Sequence, residues 1–88
     1  MSVIIKVESF LRQYVDNQET VEVKGKTVRE CLDDLTRQYP DIKKWLIDTN
    51  SVVMALILLH GEPVGTKSLD RKVQDGDELE IYVIIGGG

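Results

Sequence analysis

The chain has 88 residues, 42% hydrophobic and 30% charged, and eleven Lys and Arg against fifteen Asp and Glu give it a formal net charge of -4. That length holds one small domain around one core and excludes a second, and the composition is that of a globular chain rather than a disordered tail. Net acidity disfavours a nucleic-acid partner, and the one cysteine, Cys31, excludes an intrachain disulfide and leaves a zinc site or iron–sulfur cluster short of ligands.

The first residues, "MSVIIKVESF", lack the basic start and the apolar stretch of an export signal. No window approaches the roughly 20 apolar residues of a membrane span, so a cytoplasmic protein without a membrane partner is expected. Residues 3–8, "VIIKVE", and 20–23, "TVEV", are rich in β-branched residues and read as a hairpin with a long polar connection. Alternation puts Val3, Ile5 and Val7 on one face and Ile4, Lys6 and Glu8 on the other.

Thr27 stands three residues before Glu30, the Thr-x-x-Glu spacing of a capping box, and predicts a helix starting there. Val28, Cys31, Leu32, Leu35 and Tyr39 form one stripe at helical period, and Pro40 closes it. Cys31 on that stripe reads as a small core residue rather than a nucleophile. "DIKKWLI" at 41–47 suggests a further helical turn that sets Trp45 and Leu46 against the rim.

"VVMALILLH" at 52–60 reads as a central strand with both faces at least partly covered. A turn at "HG" follows, then a short strand near Pro63 to Thr66 and a polar crossing anchored by Leu69. His60, the single histidine, reads as a turn residue beside Gly61, with no nearby carboxylate or serine arrangement that would make a triad. Asp75-Gly76-Asp77 reads as a turn, since it lacks the further ligands of a calcium loop. Lys43-Lys44, Lys67 and Arg71-Lys72 read as solvated faces or as contacts to an acidic groove. The last strand, "ELEIYVII", turns Leu79, Ile81 and Val83 inward and Glu80, Tyr82 and Ile84 outward. Gly86, Gly87 and Gly88 follow. Glycine loses the most backbone freedom on ordering and buries no side chain, so this triplet suits a task performed by the tail itself.

The order strand, strand, helix, strand, short strand, strand predicts an α+β fold. Its capped helix, "YP" at 39–40, "HG" at 60–61, "FLR" at 10–12 and the "DGDELEIYVIIGGG" ending together resemble the ubiquitin-like β-grasp sulfur carriers of the MoaD/ThiS family. The family implies a mixed sheet of four to five strands with one main helix on one face. Residues 1–85 would form the β-grasp domain, and residues 86–88 a flexible tail.

The resemblance also implies a chemistry. A free carboxylate is ionised at neutral pH and is a poor electrophile, so it needs activation. In the family an E1-like adenylyltransferase of the MoeB/ThiF type uses ATP and magnesium to form an acyl-adenylate. A sulfur donor then displaces AMP, and the resulting thiocarboxylate passes its sulfur to a synthase of the MoaE or ThiG type. Carried over, the reacting group is the Gly88 carboxylate, with Gly87 fitting the partner's channel and Gly86 adding reach. The chain would bind no metal or cofactor itself and would be a carrier or a non-catalytic synthase subunit rather than an enzyme.

Tyr82, Ile84, Leu56 and Leu58 would make an apolar partner surface. Phe10 and Arg12 read equally as a partner contact or as a loop aromatic packed on the core beside a solvated arginine. The sequence departs from the pattern in its third glycine, in His60 where Asn is frequent, and in Ile84-Ile85 where many molybdopterin-type carriers have a proline-containing approach. The receiving pathway, molybdopterin, thiamine or another, therefore stays open. Two other functions remain: a ubiquitin-like modifier joined to lysines through Gly88, and a β-grasp binding module with an incidental tail, against which the net acidity speaks.

Overall fold

The computed structural model of the chain describes residues 2–46 and 55–83. Five strands form one mixed sheet: β1 (Ser2–Val7), β2 (Thr20–Lys24), β3 (Leu56–Leu59), β4 (Glu62–Pro63) and β5 (Glu78–Tyr82), in the spatial order β2-β1-β5-β3-β4. β1 runs antiparallel to β2 and parallel to β5, and β3 runs antiparallel to both β5 and β4. Helix α1 (Val28–Gln38) and the short α2 (Lys43–Leu46) complete the described elements apart from three 3-10 turns. One main helix on a mixed sheet is the ubiquitin-like β-grasp arrangement that the sequence implied.

Alternation along the strands decides which face is sealed. Val3, Ile5, Val7, Val21, Val23, Ile57, Leu59, Leu79 and Ile81 are buried, and Val28, Cys31, Leu32 and Leu35 of α1 close over them. The stripe read from the sequence is thus the packed one, with Tyr39 half-buried against the same core. Leu69 anchors the crossing as expected, helped by Val64 and Val73.

Helix α1 begins at Thr27, whose Oγ1 accepts the Glu30 N–H at 3.2 Å. The reciprocal half of the box is displaced by one residue, because Glu30 Oε1 accepts from Lys26 N–H at 2.9 Å rather than from Thr27. The carbonyls of Arg71 and Leu69 take the otherwise orphaned N–H groups of Val28 and Arg29. Gly25 lets the chain pass this close to the helix: a Cβ there would lie 2.8 Å from both Cys31 N and Glu30 Cβ.

Two expectations are corrected and one is refined. The connection after β1 is not simply polar: it holds a 3-10 turn, Leu11–Tyr14, and buries Leu11 and Val15. β3 is an interior strand, as expected, paired with β5 on one side and β4 on the other, but the cover of its outer face is only partial and leaves Leu56 exposed. The apolar run there has one solvent-facing side, and residues 52–54 of it lie outside the described residues. β4 starts at Glu62 instead of Pro63, because His60 (φ 54) and Gly61 (φ 77) make a two-residue left-handed turn that lets pairing resume at once, Leu59 opposite Glu62. Pro63, having no N–H, sits acceptably on this outermost strand. The helical turn expected at 41–47 is present through Leu46, and Ile47 lies outside the described residues.

Candidate functional site

Parallel pairing sets the far ends of the first and last strands side by side. Ile4 faces Glu78 and Val7 faces Ile81, and the bond from Glu8 N–H to Ile81 O, 3.3 Å, carries the ladder one residue past β1. The loop after β1 therefore meets the end of β5, some 70 residues later in the chain. β3 approaches from the other side and puts Leu56 opposite Tyr82 and Leu58 opposite Glu80.

Leu56 and Tyr82 each keep 38% of their surface exposed, the two large apolar side chains that do so among the described residues. Leu58 beside them is half-buried. The Tyr82 hydroxyl donates to Glu80 Oε2 at 2.6 Å. That bond, then partial desolvation, then the negative charges of Glu80 and Glu8 hold the phenol pKa above its ordinary value, so Tyr82 stays a neutral donor well past neutral pH. The side chains of this pair are thereby fixed on the outer face.

Next to them opens a groove of about 470 Å³ lined by Lys6, Glu8, Arg12, Glu19 and Tyr82 among others. Arg12 is not simply solvated. It is half-buried, and its Nε donates to Val7 O at 2.9 Å, pinning the loop to the end of β1. Glu8 Oε1 is buried without a hydrogen-bond partner among the described residues. Phe10 turns away from this groove and packs on the core, edge-on to Trp45 at 5.0 Å between ring centres and to Tyr14 at 6.3 Å, with Lys44 Nζ 5.3 Å from the Tyr14 ring.

The structure thus brings together Leu56, Leu58, Tyr82 and Arg12, and sets Phe10 apart in an aromatic cluster. Ile84, Gly86, Gly87 and Gly88 lie outside the described residues, which end at Val83, half-buried against the core. Sequence reasoning missed Glu8, Glu19 and Lys6 as groove residues and Tyr14 with Trp45 as partners of Phe10. The parallel pairing of β1 with β5 creates the groove, and no local pattern announces it.

The remaining singled-out residues have structural tasks. Cys31 is buried, and burial first, then the charges of Asp34 and Glu30, pushes its thiol up to about 11, so it is an inert thiol at neutral pH. His60 fills a left-handed turn position that histidine tolerates. Folding brings its Nε2 within 3.4 Å of Asp77 Oδ1, a carboxylate distant in sequence. Asp75 Oδ1 accepts from Ser2 N–H and Gly76 N–H donates to Ser2 O, so the Asp75-Gly76-Asp77 turn fastens the start of β1. Arg71 lies 3.7 Å from Glu62, and Lys43, Lys67 and Lys72 are exposed. No group of three or more His, Cys, Asp or Glu among the described residues is placed to hold a metal ion, and none of their helices is long and apolar enough to cross a membrane.

Solved structures of similar architecture match the chain over nearly all of its length. A chain in the crystal structure of the Amycolatopsis orientalis BexX/CysO complex is similar at 29% identity and TM-score 0.84, covering 98% of this chain and 99% of that one. SAMP1 from Haloferax volcanii is similar in fold at 24% identity and TM-score 0.85, with both chains covered completely. The small archaeal modifier protein 1 of Methanosarcina acetivorans reaches 25% identity and TM-score 0.81 over 99% of this chain and 96% of that one. No curated protein matches the sequence. The family model described as the ThiS family matches residues 5–88, from inside the first strand through the last glycine, and the chain belongs to that family of ubiquitin-like sulfur carriers.

Proposed function

We propose that this chain carries sulfur as a thiocarboxylate at Gly88 for a biosynthetic synthase. The Gly88 carboxylate attacks the α-phosphorus of ATP on an E1-like adenylyltransferase, and pyrophosphate leaves. Sulfide, delivered by a sulfur donor, then adds to the acyl carbon and expels AMP, leaving the thiocarboxylate. ATP and magnesium belong to the activating enzyme, and the carrier supplies the carboxylate, a narrow glycine segment and a docking face. Glycine at 86, 87 and 88 fits because a backbone without Cβ threads a tight channel in whatever conformation that channel demands.

One observation carries this reading. β5, bonded on both sides by β1 and β3, ends beside the exposed Leu56–Tyr82 pair, so the five residues after Val83 start from the end of the sheet that carries that pair, which supports its use as a docking face. Leu56, Leu58, Tyr82 and Ile84 would dock the activating enzyme and the synthase, with Arg12 at the margin and Phe10 supporting the loop that carries it. The test is intact mass after incubation with a ThiF-type enzyme, ATP, magnesium and sulfide. The full chain is expected to gain the difference between one sulfur and one oxygen, and a chain lacking Gly87 and Gly88 to gain nothing. An unchanged full chain, or an equal gain in the shortened one, would end the proposal.

A second reading, conjugation of Gly88 to lysine amines, draws on the similarity to the Methanosarcina acetivorans modifier protein. It shares the adenylation step and predicts protein adducts in the same incubation when lysine-bearing targets are present.

A further inference from the structure

The outer edge of β2 is the longer open edge of the sheet, since β4 at the other side has two residues, one of them Pro63. Val7 N–H donates to Glu19 O at 2.9 Å, which fixes the alternation of the β1–β2 ladder. Ile5 with Val21 and Val3 with Val23 are then the bonded pairs, whereas Glu22 and Lys24 point their N–H and C=O groups away from β1. Such outward groups are a template on which another strand can add.

Two side chains of α1 occupy that template. Lys24 N–H donates to Asp34 Oδ2 at 2.9 Å, and Gln38 Nε2 donates to Glu22 O at 3.1 Å and to Asp34 Oδ2 at 3.1 Å. Arg37 holds the other oxygen of Asp34 at 3.0 Å. The helix therefore does more than cover the inner face. It reaches past the sheet and closes its border.

We propose that the β2 edge is a latent self-association surface for a second copy of this chain, held shut by Asp34 and Gln38. Two β2 strands laid antiparallel about Val23 bring Glu22 of each copy opposite Lys24 of the other, twice by two-fold symmetry. Both residues present both backbone groups to the edge, so each such pair closes two N–H···O bonds. Their side chains, both exposed, meet as opposite charges at cross-strand distance. Laying the strands about Glu22 instead would set like charges face to face, so charge selects the first register. Val21 and Val23 keep facing the core in either copy, and pairing disturbs no packing.

Sedimentation velocity on the full chain and on Asp34→Ala/Gln38→Ala tests this. The double variant is expected to dimerise at concentrations about tenfold lower than the unaltered chain. Adding Glu22→Lys to it should return the monomer by repulsion from Lys24, and adding Lys24→Glu as well should restore the dimer by exchanging the charges. A folded double variant as monomeric as the unaltered chain, or a dimer indifferent to Glu22→Lys, overturns the proposal. Amide hydrogen exchange probes the guard in the monomer, without any association: the Lys24 N–H should exchange about tenfold faster in Asp34→Ala than in the unaltered chain. Equal rates would mean that the edge is not guarded.

Discussion

On the inner face of the sheet Val3, Ile5, Val7, Ile57, Leu59, Leu79 and Ile81 are sealed to 2% exposure or less, yet one residue along the same strands Leu56 and Tyr82 keep 38%. Both sets are apolar, and both follow from the same alternation. The difference lies in what covers them: α1 packs over the inner face, whereas the second set stays partly exposed. Hydrophobicity seals the core on one side and on the other leaves the exposed pair proposed for docking, and only the packing partner tells the two apart.

Substitutions can break that division or sharpen it. The largest effect is expected from Leu35→Ala, which empties the centre of the inner face and should cost about 2–5 kcal/mol in denaturant unfolding. Whatever remains folded should still be loaded by the activating enzyme. Gly25→Ala comes next, because its Cβ would press on the backbone of α1 at 2.8 Å, and overpacking of this kind costs about 1–3 kcal/mol.

The outer face should respond in the opposite sense. Leu56→Ala and Tyr82→Ala should leave unfolding within about 0.5 kcal/mol of the unaltered chain. Each should slow thiocarboxylation at subsaturating carrier by roughly tenfold, the effect of removing an interface anchor. A fall in stability with normal loading would reverse the assignment of the two faces. Thr27→Ala, which removes the cap of the helix that seals the inner face, should cost about 1 kcal/mol and leave loading unchanged at saturating carrier. The smallest expected change is no change. With its thiol pushed up to about 11, Cys31 should resist iodoacetamide at neutral pH until the chain unfolds, and rapid alkylation of the native protein would show that the inner face opens.

How far the molecule is legible in its sequence follows the range of the interactions. The stripe Val28, Cys31, Leu32, Leu35 and the cap at Thr27 are encoded within a few residues of each other, and helix α1 stands where they put it. The alternation in β1 and β5 likewise specifies the buried set and the exposure of Tyr82. Leu11 and Val15 are hidden in a connection that looks polar, since two buried residues in an irregular turn have no period to reveal them. The run ending at His60 indicates an interior strand, as observed, but not that Leu56 on its outer face stays exposed, because an exposed apolar residue is spelled like a buried one. Arg12 and Tyr82 are both readable as contacts, but their meeting in one groove with Glu8 depends on a parallel crossover between the chain's first and last strands. The guard at Asp34 and Gln38 is invisible for the same reason: on a helical wheel both are merely off the stripe.

The position of β5 between β1 and β3 has a mechanical consequence. A partner that drags the tail along the strand axis loads the hydrogen bonds of both flanking ladders in shear, all at once, instead of peeling them one by one as it would from a border strand. If the chain is loaded as proposed, a pull on the residues after Val83 is resisted by both ladders together, with the sheet acting as the stopper on the thread.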